Sequence, residues 1–243
     1  MTNLDYSIIV PAFNEEELLP ATLARLGEAM ARLDEFRGEL IVTDNDSEDR
    51  TAEIAQSFGA KVVFEEHRQI ARARNAGAAQ SRARYLIFVD ADTLVSDALL
   101  RRTLETLESG EHCGGGALPQ FDSEPTHAAA RLMAVWRWIS KTFSWAAGSY
   151  VFCLREAFTD IGGFDERFYA SEEIHLSKSL KKWGRRRKMT MKILEEELVT
   201  SDRKLRWFTV GQAVRAAIAL TLRPWRLRSR EGCWFWYERP PKP

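Results

Sequence analysis

Tyr85-Leu-Ile-Phe-Val-Asp90-Ala-Asp92-Thr93 is the stretch of this 243-residue sequence that decides the fold. An apolar and aromatic run without polar alternation is typical of a parallel strand that is buried on both faces. In an open parallel sheet, ligands bind beyond the carboxyl ends of the strands, which is where Asp90 and Asp92 fall. Their carboxylates can both approach one divalent cation, although Asp after a strand is also common in surface turns.

Shorter runs of strand character precede this one, and helical patterns separate them. Ser7–Pro11, Leu40–Asp44 and Lys61–Phe64 are rich in apolar and β-branched residues. Four strand-helix alternations up to Asp92 predict a single Rossmann-like α/β domain, with a mostly parallel central sheet flanked by helices. Because proline cannot donate to a sheet ladder, the first strand is predicted to stop at Pro11.

The C-terminal part of the sequence differs in character from the rest. We assign residues 1–204 to the α/β domain and residues 205–243 to an amphipathic helix followed by an aromatic and proline-rich tail. Eight basic and no acidic residues lie between Arg203 and Arg230. A basic, Trp-bearing amphipathic helix suits an anionic membrane surface, here through residues 205–230. Packing of the same helix against the domain is the alternative.

Composition and charge argue against several classes of protein. The formal net charge is zero, which argues against a nucleic-acid partner. Cys113, Cys153 and Cys233 lie far apart without metal-binding spacing, and this suits a reducing compartment. No signal peptide is visible, nor is there an uncharged apolar run of the roughly 18 residues that a membrane span needs. These patterns predict a cytoplasmic protein, and the basic C-terminal part predicts peripheral attachment at the inner face of the membrane.

Candidate binding residues lie near the ends of the other predicted strands. Small residues at Pro11-Ala12 let a nucleotide approach, and Glu15 can accept a hydrogen bond from a base or ribose. Asp44 can accept from an imide N–H, which uracil and guanine possess. Arg74 suits phosphate oxygens, because the guanidinium fork matches them. Helix initiation is the alternative for the first loop, and a solvated helix face is the alternative for the arginine.

A second acidic cluster, Ser171-Glu172-Glu173, begins a helix that is predicted to end near Gly184. On that helix Glu173, Leu176 and Leu180 share one face, so Glu173 leans toward the apolar core. A carboxylate in that position is either a buried structural acceptor or a base placed over a substrate.

Six motifs that follow one another along the chain resemble the bacterial family-2 inverting glycosyltransferases. This resemblance spans about Tyr6 to Ser201 and implies the GT-A fold, with the nucleotide-sugar held by residues 1–118 and the acceptor site formed by residues 119–204. The motifs are Val10-Pro-Ala-Phe-Asn-Glu-Glu16, Asp44-Asn-Asp-Ser-Glu-Asp-Arg-Thr51, Arg74-Asn-Ala-Gly77, Asp90-Ala-Asp92, Gly162-Gly-Phe-Asp-Glu166 and Ser171-Glu-Glu173.

The resemblance also implies a reaction and roles for individual residues. Glu173 corresponds to the catalytic carboxylate, which is usually Asp in the family. Asp92 is implied to bind Mg²⁺ or Mn²⁺, with Asp90 beside the metal or the ribose. The reaction is transfer of a sugar with inversion from a nucleoside-diphosphate sugar, UDP favoured, to a hydroxyl group. Acceptors of polysaccharide, glycolipid or cell-envelope biosynthesis, including lipid-linked ones, are implied. Implied nucleotide-sugar contacts are Pro11, Ala12, Glu15, Asp44, Arg74 and Asp90.

Two other functions remain open at the level of the sequence. A sugar-phosphate nucleotidyltransferase can share a similar sheet, but it usually needs a Gly-rich, basic loop after the first strand, which Pro11-Ala-Phe-Asn-Glu15 is not. A nucleotide-binding scaffold without activity, recruited to a membrane, would need the binding residues but not Glu173.

Overall fold

A computed structural model describes residues 4–122, 127–203, 207, 211, 212, 215 and 223–238 of the chain. The predicted amphipathic helix that starts at Leu205 lies mostly outside these described residues. The strands are β1 (Tyr6–Ala12), β2 (Gly38–Asp44), β3 (Lys61–Phe64), β4 (Tyr85–Val89), β5 (Thr93–Val95), β6 (His112–Ala117), β7 (Gln120–Phe121), β8 (Tyr150–Leu154), β9 (Thr190–Leu194) and β10 (Leu198–Thr200). The helices are α1 (Leu19–Ala31), α2 (Thr51–Ser57), α3 (Ile70–Ala79), α4 (Asp97–Glu108), α5 (His127–Phe143), α6 (Arg155–Asp160), α7 (Glu172–Arg185) and the short α8 (Trp234–Tyr237).

The described strands form one large sheet and one small sheet. The large sheet has seven strands in the order β3-β2-β1-β4-β8-β6-β9, and the small one has the order β5-β10-β7. In the large sheet β8 runs antiparallel to both of its neighbours, and the other four pairs are parallel. The predicted α/β fold with a mostly parallel central sheet is therefore confirmed.

The central strand β4 is buried on both faces, as its sequence predicts. Tyr85, Ile87 and Val89 pack in one apolar cluster with residues of α1 and α4. Leu86 and Phe88 point the other way, into a cluster with residues of α3, α6 and α7. Helices thus cover both faces of the sheet, which explains why the strand shows no polar alternation.

The prediction that β1 stops at Pro11 is wrong. The strand continues through Pro11 to Ala12, and both residues pair with β2. Pairing with β4 on the other side ends at Ile9. At Pro11 one side of β1 therefore has no ladder, and a residue without an N–H donor is tolerated there.

The C-terminal segment, defined as residues 223–238, folds back onto the α/β domain. It contains two 3₁₀ turns, Pro224–Arg228 and Glu231–Cys233, followed by α8. The backbone N–H of Tyr169 donates to the carbonyl of Leu227 over 2.7 Å. Cys233 is fully buried in this segment. Among the described residues, no helix combines the length and the apolarity that crossing a bilayer requires.

Ser96 caps helix α4 and also ties it to the chain near β10. Its hydroxyl accepts from the N–H of Leu99 over 3.1 Å and donates to the carbonyl of Glu197 over 2.9 Å. Because Ser96→Ala removes a cap and a second hydrogen bond, we expect it to lower the free energy of unfolding by about 1–2 kcal/mol. Urea denaturation measures this change, and a loss below about 0.5 kcal/mol would contradict the assigned cap.

Candidate active site

A cavity of about 460 Å³ opens at the carboxyl edge of the large sheet. The ends of β1 and β4 meet there, and the antiparallel β8 begins at the same edge because Tyr150 pairs with Val89. The structure brings nearly all of the predicted site residues to this one cavity. Those that line it are Pro11, Ala12, Glu15, Arg74, Asp90, Asp92 and Glu173.

Asp90 and Asp92 lie in a tight turn directly after β4. The N–H of Thr93 donates to the carbonyl of Asp90 over 3.1 Å, which closes the turn. The carbonyl of Asp92 accepts from the N–H of Ser201, and β5 then pairs with β10. The small sheet thus holds the backbone of Asp92 in place. Asp90 and Asp92 both line the cavity.

Arg74 is a buried connector between three parts of the cavity wall. Its guanidinium donates to Asp90 Oδ1 over 2.8 Å, to Glu172 Oε1 over 2.6 Å and to the carbonyl of Gly148 over 2.7 Å. Only 1% of its surface is exposed, and the guanidinium lies 5.1 Å from the centre of the Phe164 ring. The ends of β4, β8 and α7 are therefore held together by one side chain.

The two adjacent glutamates at the start of α7 have different environments. Glu172 is buried and forms the ion pair with Arg74. Glu173 is half-buried and lines the cavity, and a Cβ built on Gly148 would lie 3.8 Å from its carboxyl carbon. Of the two, Glu172 is thus the structural acceptor, and Glu173 is the carboxylate that a bound ligand can reach.

Burial and charge shift the pKa values of this cluster in a way that suits a base. Desolvation, together with the negative charge of Glu172, raises the pKa of Glu173 from 4.5 to about 8. Burial by itself lowers the pKa of Arg74, but Asp90, Glu172 and Glu173 outweigh it and hold that pKa above its usual value. Arg74 is therefore a permanent cation, and Glu173 is a stronger proton acceptor than an ordinary glutamate once it is ionised.

A second arginine connects the first loop to the turn after β4. Arg203 donates to Glu15 Oε1 over 2.7 Å, and its guanidinium lies 3.7 Å from Asp92 Oδ2. Both Glu15 and Arg203 line the cavity. Glu15 is thus paired with a cation in the structure, and its contact with a nucleotide stays a prediction.

Asp44 does not line the cavity. It is buried at the end of β2, and its Oδ1 accepts from the N–H of Ser47. The next residue, Asn45, lines the cavity instead, while its side-chain amide donates to the carbonyls of Glu65 and His67. One carboxylate oxygen of Asp44 thus closes a local turn. The contact between Asp44 and a base stays a prediction.

The C-terminal segment forms an outer wall of the cavity that could not be predicted from the sequence. Arg230, Trp236 and Tyr237 of the C-terminal segment line it, together with Tyr169. Tyr237 stacks edge-on against Tyr169 at 5.6 Å, and its hydroxyl accepts from the N–H of Ile70 over 3.5 Å. The aromatic run Trp234–Tyr237 was visible in the sequence as a tail, but no local pattern indicates which surface it covers.

The residues at the turn after β4 fit a hard divalent cation. Asp90 and Asp92 offer carboxylate oxygens alone, the donor type that Mg²⁺ and Mn²⁺ prefer. Within the described residues, no group of three or more His, Cys, Asp or Glu side chains converges on one point. A cation here would therefore complete its coordination with water or substrate oxygens, as Mg²⁺ usually does.

Comparison with known families identifies the chain. Residues 7–162 match the sequence profile described as "Glycosyl transferase family 2". The chain belongs to this family. The match covers β1 through α6, and with them the residues from Pro11 to Ser149 that line the cavity. It excludes α7 and the C-terminal segment.

Curated relatives of this family-2 chain each match part of it. A 4,4'-diaponeurosporenoate glycosyltransferase of Staphylococcus haemolyticus is 40% identical over 111 residues, which is 46% of this chain and 27% of that protein. The glycosyltransferase AglE of Haloferax volcanii is 26% identical over 190 residues, or 71% of this chain and 60% of that protein. The chain thus spans less than two thirds of these relatives' lengths.

Solved structures confirm the GT-A fold of this family-2 chain. The mannosyltransferase PcManGT of Pyrobaculum calidifontis, in complex with GDP-Man and Mn²⁺, superposes with a TM-score of 0.69 at 18% identity, covering 99% of this chain and 67% of that one. Glucosyl-3-phosphoglycerate synthase of Mycobacterium tuberculosis, in complex with Mn²⁺, UDP and its product, gives a TM-score of 0.61 at 19% identity, covering 90% and 79%.

Proposed function

We propose that this protein is an inverting, metal-dependent glycosyltransferase that moves a sugar from a nucleoside-diphosphate sugar to an acceptor hydroxyl. One observation carries the proposal. The paired aspartates at the end of β4 and Glu173 at the start of α7 line a single cavity. Its volume, about 460 Å³, lies in the range of small-molecule sites.

The chemistry of the transfer requires opposite charges on two sides of the sugar. As the bond to the donor phosphate breaks, negative charge develops on the diphosphate and positive character at the anomeric carbon. Mg²⁺ or Mn²⁺ held by Asp92 and Asp90 would supply positive charge beside the leaving group. Arg74 donates to Asp90 and holds its carboxylate in place, and so it would fix the position of a cation bound there.

Glu173 is assigned the role of general base. Its carboxylate accepts the proton of the acceptor hydroxyl while the oxygen attacks the anomeric carbon opposite the diphosphate, and one displacement inverts the configuration. Positioned bases typically contribute roughly 10²–10⁴-fold to rate. The raised pKa of Glu173 supports this role, since a base works best when its pKa lies near the working pH.

Asp92→Asn is expected to weaken UDP binding in Mn²⁺ by at least about tenfold, because a carboxylate ligand of the cation is lost. Binding with EDTA, in the absence of the cation, should change little. Isothermal titration of UDP with and without Mn²⁺ measures both affinities. Asp97→Asn is the matched control, since Asp97 pairs with Arg32 on the surface. Equal Mn²⁺ dependence in the wild type and Asp92→Asn would remove Asp92 from the metal site.

The donor is proposed to be a UDP-sugar, with a GDP-sugar second. The imide N–H of uracil would donate to the Asp44 oxygen that does not already accept from the N–H of Ser47, beside the cavity and not in its wall. Relatives of known structure carry GDP-Man in one case and UDP in another. A thermal-shift screen of UDP, GDP, CDP and dTDP with and without Mn²⁺ separates these donors, because ligands that bind only the folded state stabilise it.

The acceptor is proposed to carry a hydroxyl group and to belong to polysaccharide, glycolipid or cell-envelope biosynthesis, with lipid-linked acceptors included. The name of the Staphylococcus haemolyticus relative gives 4,4'-diaponeurosporenoate as the compound that protein glycosylates. We propose a cytoplasmic site of action at the inner face of the membrane. The contact predicted through residues 205–230 falls largely on residues outside the described ranges.

A further inference from the structure

Helix α5 exposes large apolar side chains on one face. Arg131, Ala134, Val135, Trp138 and Thr142 follow one another at helical spacing, and all of them are exposed. Trp138 is 63% exposed and Val135 55%. Single exposed apolar residues are ordinary, but a Trp beside a Val on one helical face is typical of a surface that contacts a protein or a membrane.

A second exposed aromatic group lies at the end of α5, about 140° around the helix from Trp138. Phe143, which is 45% exposed, stacks on Trp145 with ring centres 5.2 Å apart. Lys178 of α7 lies 5.0 Å over the Trp145 ring, and the ammonium group of Lys181 donates to the carbonyl of Phe143. We call Val135, Trp138, Phe143 and Trp145, with the basic residues around them, the α5 face.

The charged side chains of helix α5 itself are all basic. Helix α5 contains Arg131, Arg137 and Lys141 but no Asp or Glu. Glu195, the first of three consecutive glutamates, pairs with Lys141 over 2.8 Å, and that lysine lowers the pKa of Glu195. Lys178 and Lys181 of α7 add two further positive charges beside the Phe143 and Trp145 rings.

We infer that the α5 face binds the surface of an anionic lipid bilayer. Exposed Trp, Phe and Val side chains enter the boundary between headgroups and acyl chains, and long basic side chains reach the lipid phosphates from the rim. The positive charge of the face is complementary to the negative charge of an anionic leaflet. An ordinary protein partner would be expected to supply acidic residues, whereas a bilayer supplies both the negative charge and the apolar phase.

The position of α5 connects this surface to the cavity. The chain lines the cavity at Phe121, passes through α5 and returns to the cavity at Gly148. A bilayer on the α5 face would therefore contact the element that joins two segments of the cavity wall. This last step rests on the proposed function, whereas binding to the bilayer does not.

Co-sedimentation of the full chain with vesicles tests the inference. The vesicles contain phosphatidylcholine with phosphatidylglycerol at about 30 mol%, or phosphatidylcholine alone. We expect binding to the anionic vesicles that falls with added salt, and weak binding to the neutral ones. The double variant Trp138→Ala/Phe143→Ala should lower the partition coefficient by at least about tenfold, because two large apolar side chains no longer enter the interface.

Phe64→Ala is the matched control, because Phe64 is 64% exposed at the edge strand β3, away from α5. Its partition coefficient should stay within about twofold of the wild type. The inference is overturned if the wild type ignores anionic vesicles, or if the double variant binds like the wild type. It is also overturned if Trp225→Ala, on the C-terminal segment, abolishes binding while the double variant does not. A dimer that Trp138→Ala dissociates, without vesicle binding, would assign the face to a second copy of the chain.

Transferase assays distinguish this result from a failure of the proposed function. If the chain binds vesicles but has no transferase activity, the inference about the α5 face stands and the proposed function is contradicted. If the chain transfers sugar but does not bind vesicles, the proposed function stands and the inference about the α5 face is contradicted.

Discussion

Glu173→Gln is expected to abolish sugar transfer while making the protein more stable. Glutamine has the same shape as glutamate but cannot accept the proton of the acceptor hydroxyl. The loss of rate should reach roughly 10²–10⁴-fold, the usual contribution of a positioned base. Binding of UDP with Mn²⁺ should be retained, since the proposed cation ligands are Asp90 and Asp92. Rates and affinities measured on the same preparation test both statements.

The gain in stability follows from the sign of the pKa shift. The pKa of Glu173 is raised from 4.5 to about 8 on folding, so the folded state binds this proton more tightly than the unfolded state. Stability from this group is complete below pH 4.5 and is lost as the pH rises through about 8. At neutral pH folding therefore costs free energy, because the carboxyl group must either take up a proton or stay ionised in a desolvated place, and Glu173→Gln removes this cost. Each kcal/mol regained raises Tm by roughly 2–4 °C in a chain of this size.

Glu172→Gln is the contrasting variant, because Glu172 is the neighbour that pairs with Arg74. It should lower Tm and reduce transfer less than Glu173→Gln does. Thermal melts with EDTA across neutral pH give the comparison without bound metal. Unchanged turnover in Glu173→Gln would remove Glu173 from the mechanism, and a lower Tm for that variant would contradict its desolvation.

Arg74→Met is expected to cost about 3–5 kcal/mol of the free energy of unfolding. The reason is that Asp90 and Glu172 keep their charges but lose the cation between them, and Glu172 is buried. Urea denaturation measures the loss. A double variant, Arg74→Met with Glu172→Gln, should recover part of it, because one uncompensated charge is then gone.

Arg72→Met is the matched control on the same helix. Arg72 pairs with Glu166 over 3.4 Å, but about two fifths of each side chain is exposed. Surface pairs of this kind contribute about 0–1 kcal/mol. If Arg74→Met cost no more than Arg72→Met, Arg74 would not be the connector that holds the cavity wall together.

The fold could be predicted from the sequence because its signals are local. The unbroken apolar run Tyr85–Val89 indicates a strand buried on both faces, and the strand-helix alternation before it indicates a parallel sheet. The continuation of β1 through Pro11 could not be predicted, because tolerance of proline depends on where pairing with β4 ends. The short strands β5 and β7 depend on pairing with β10, which lies far along the chain.

The candidate site divides in the same way. Asp90, Asp92 and Glu173 were visible because each follows or begins a regular element with a strong local pattern. The pairing of Arg74 with Asp90 and Glu172 joins residues that lie far apart in the sequence, so the sequence indicated an arginine near phosphate but not its two carboxylate partners. Trp236 and Tyr237 reach the cavity only because the C-terminal segment folds back over Tyr169 and Ile70.

Anomalous diffraction at the manganese absorption edge, from crystals grown with Mn²⁺ and UDP, tests the central claim most directly. The account predicts one manganese peak bonded to Asp92, with the diphosphate beside it and the Glu173 carboxylate across the same cavity. A manganese peak away from Asp90 and Asp92, or a nucleotide bound outside this cavity, would contradict it.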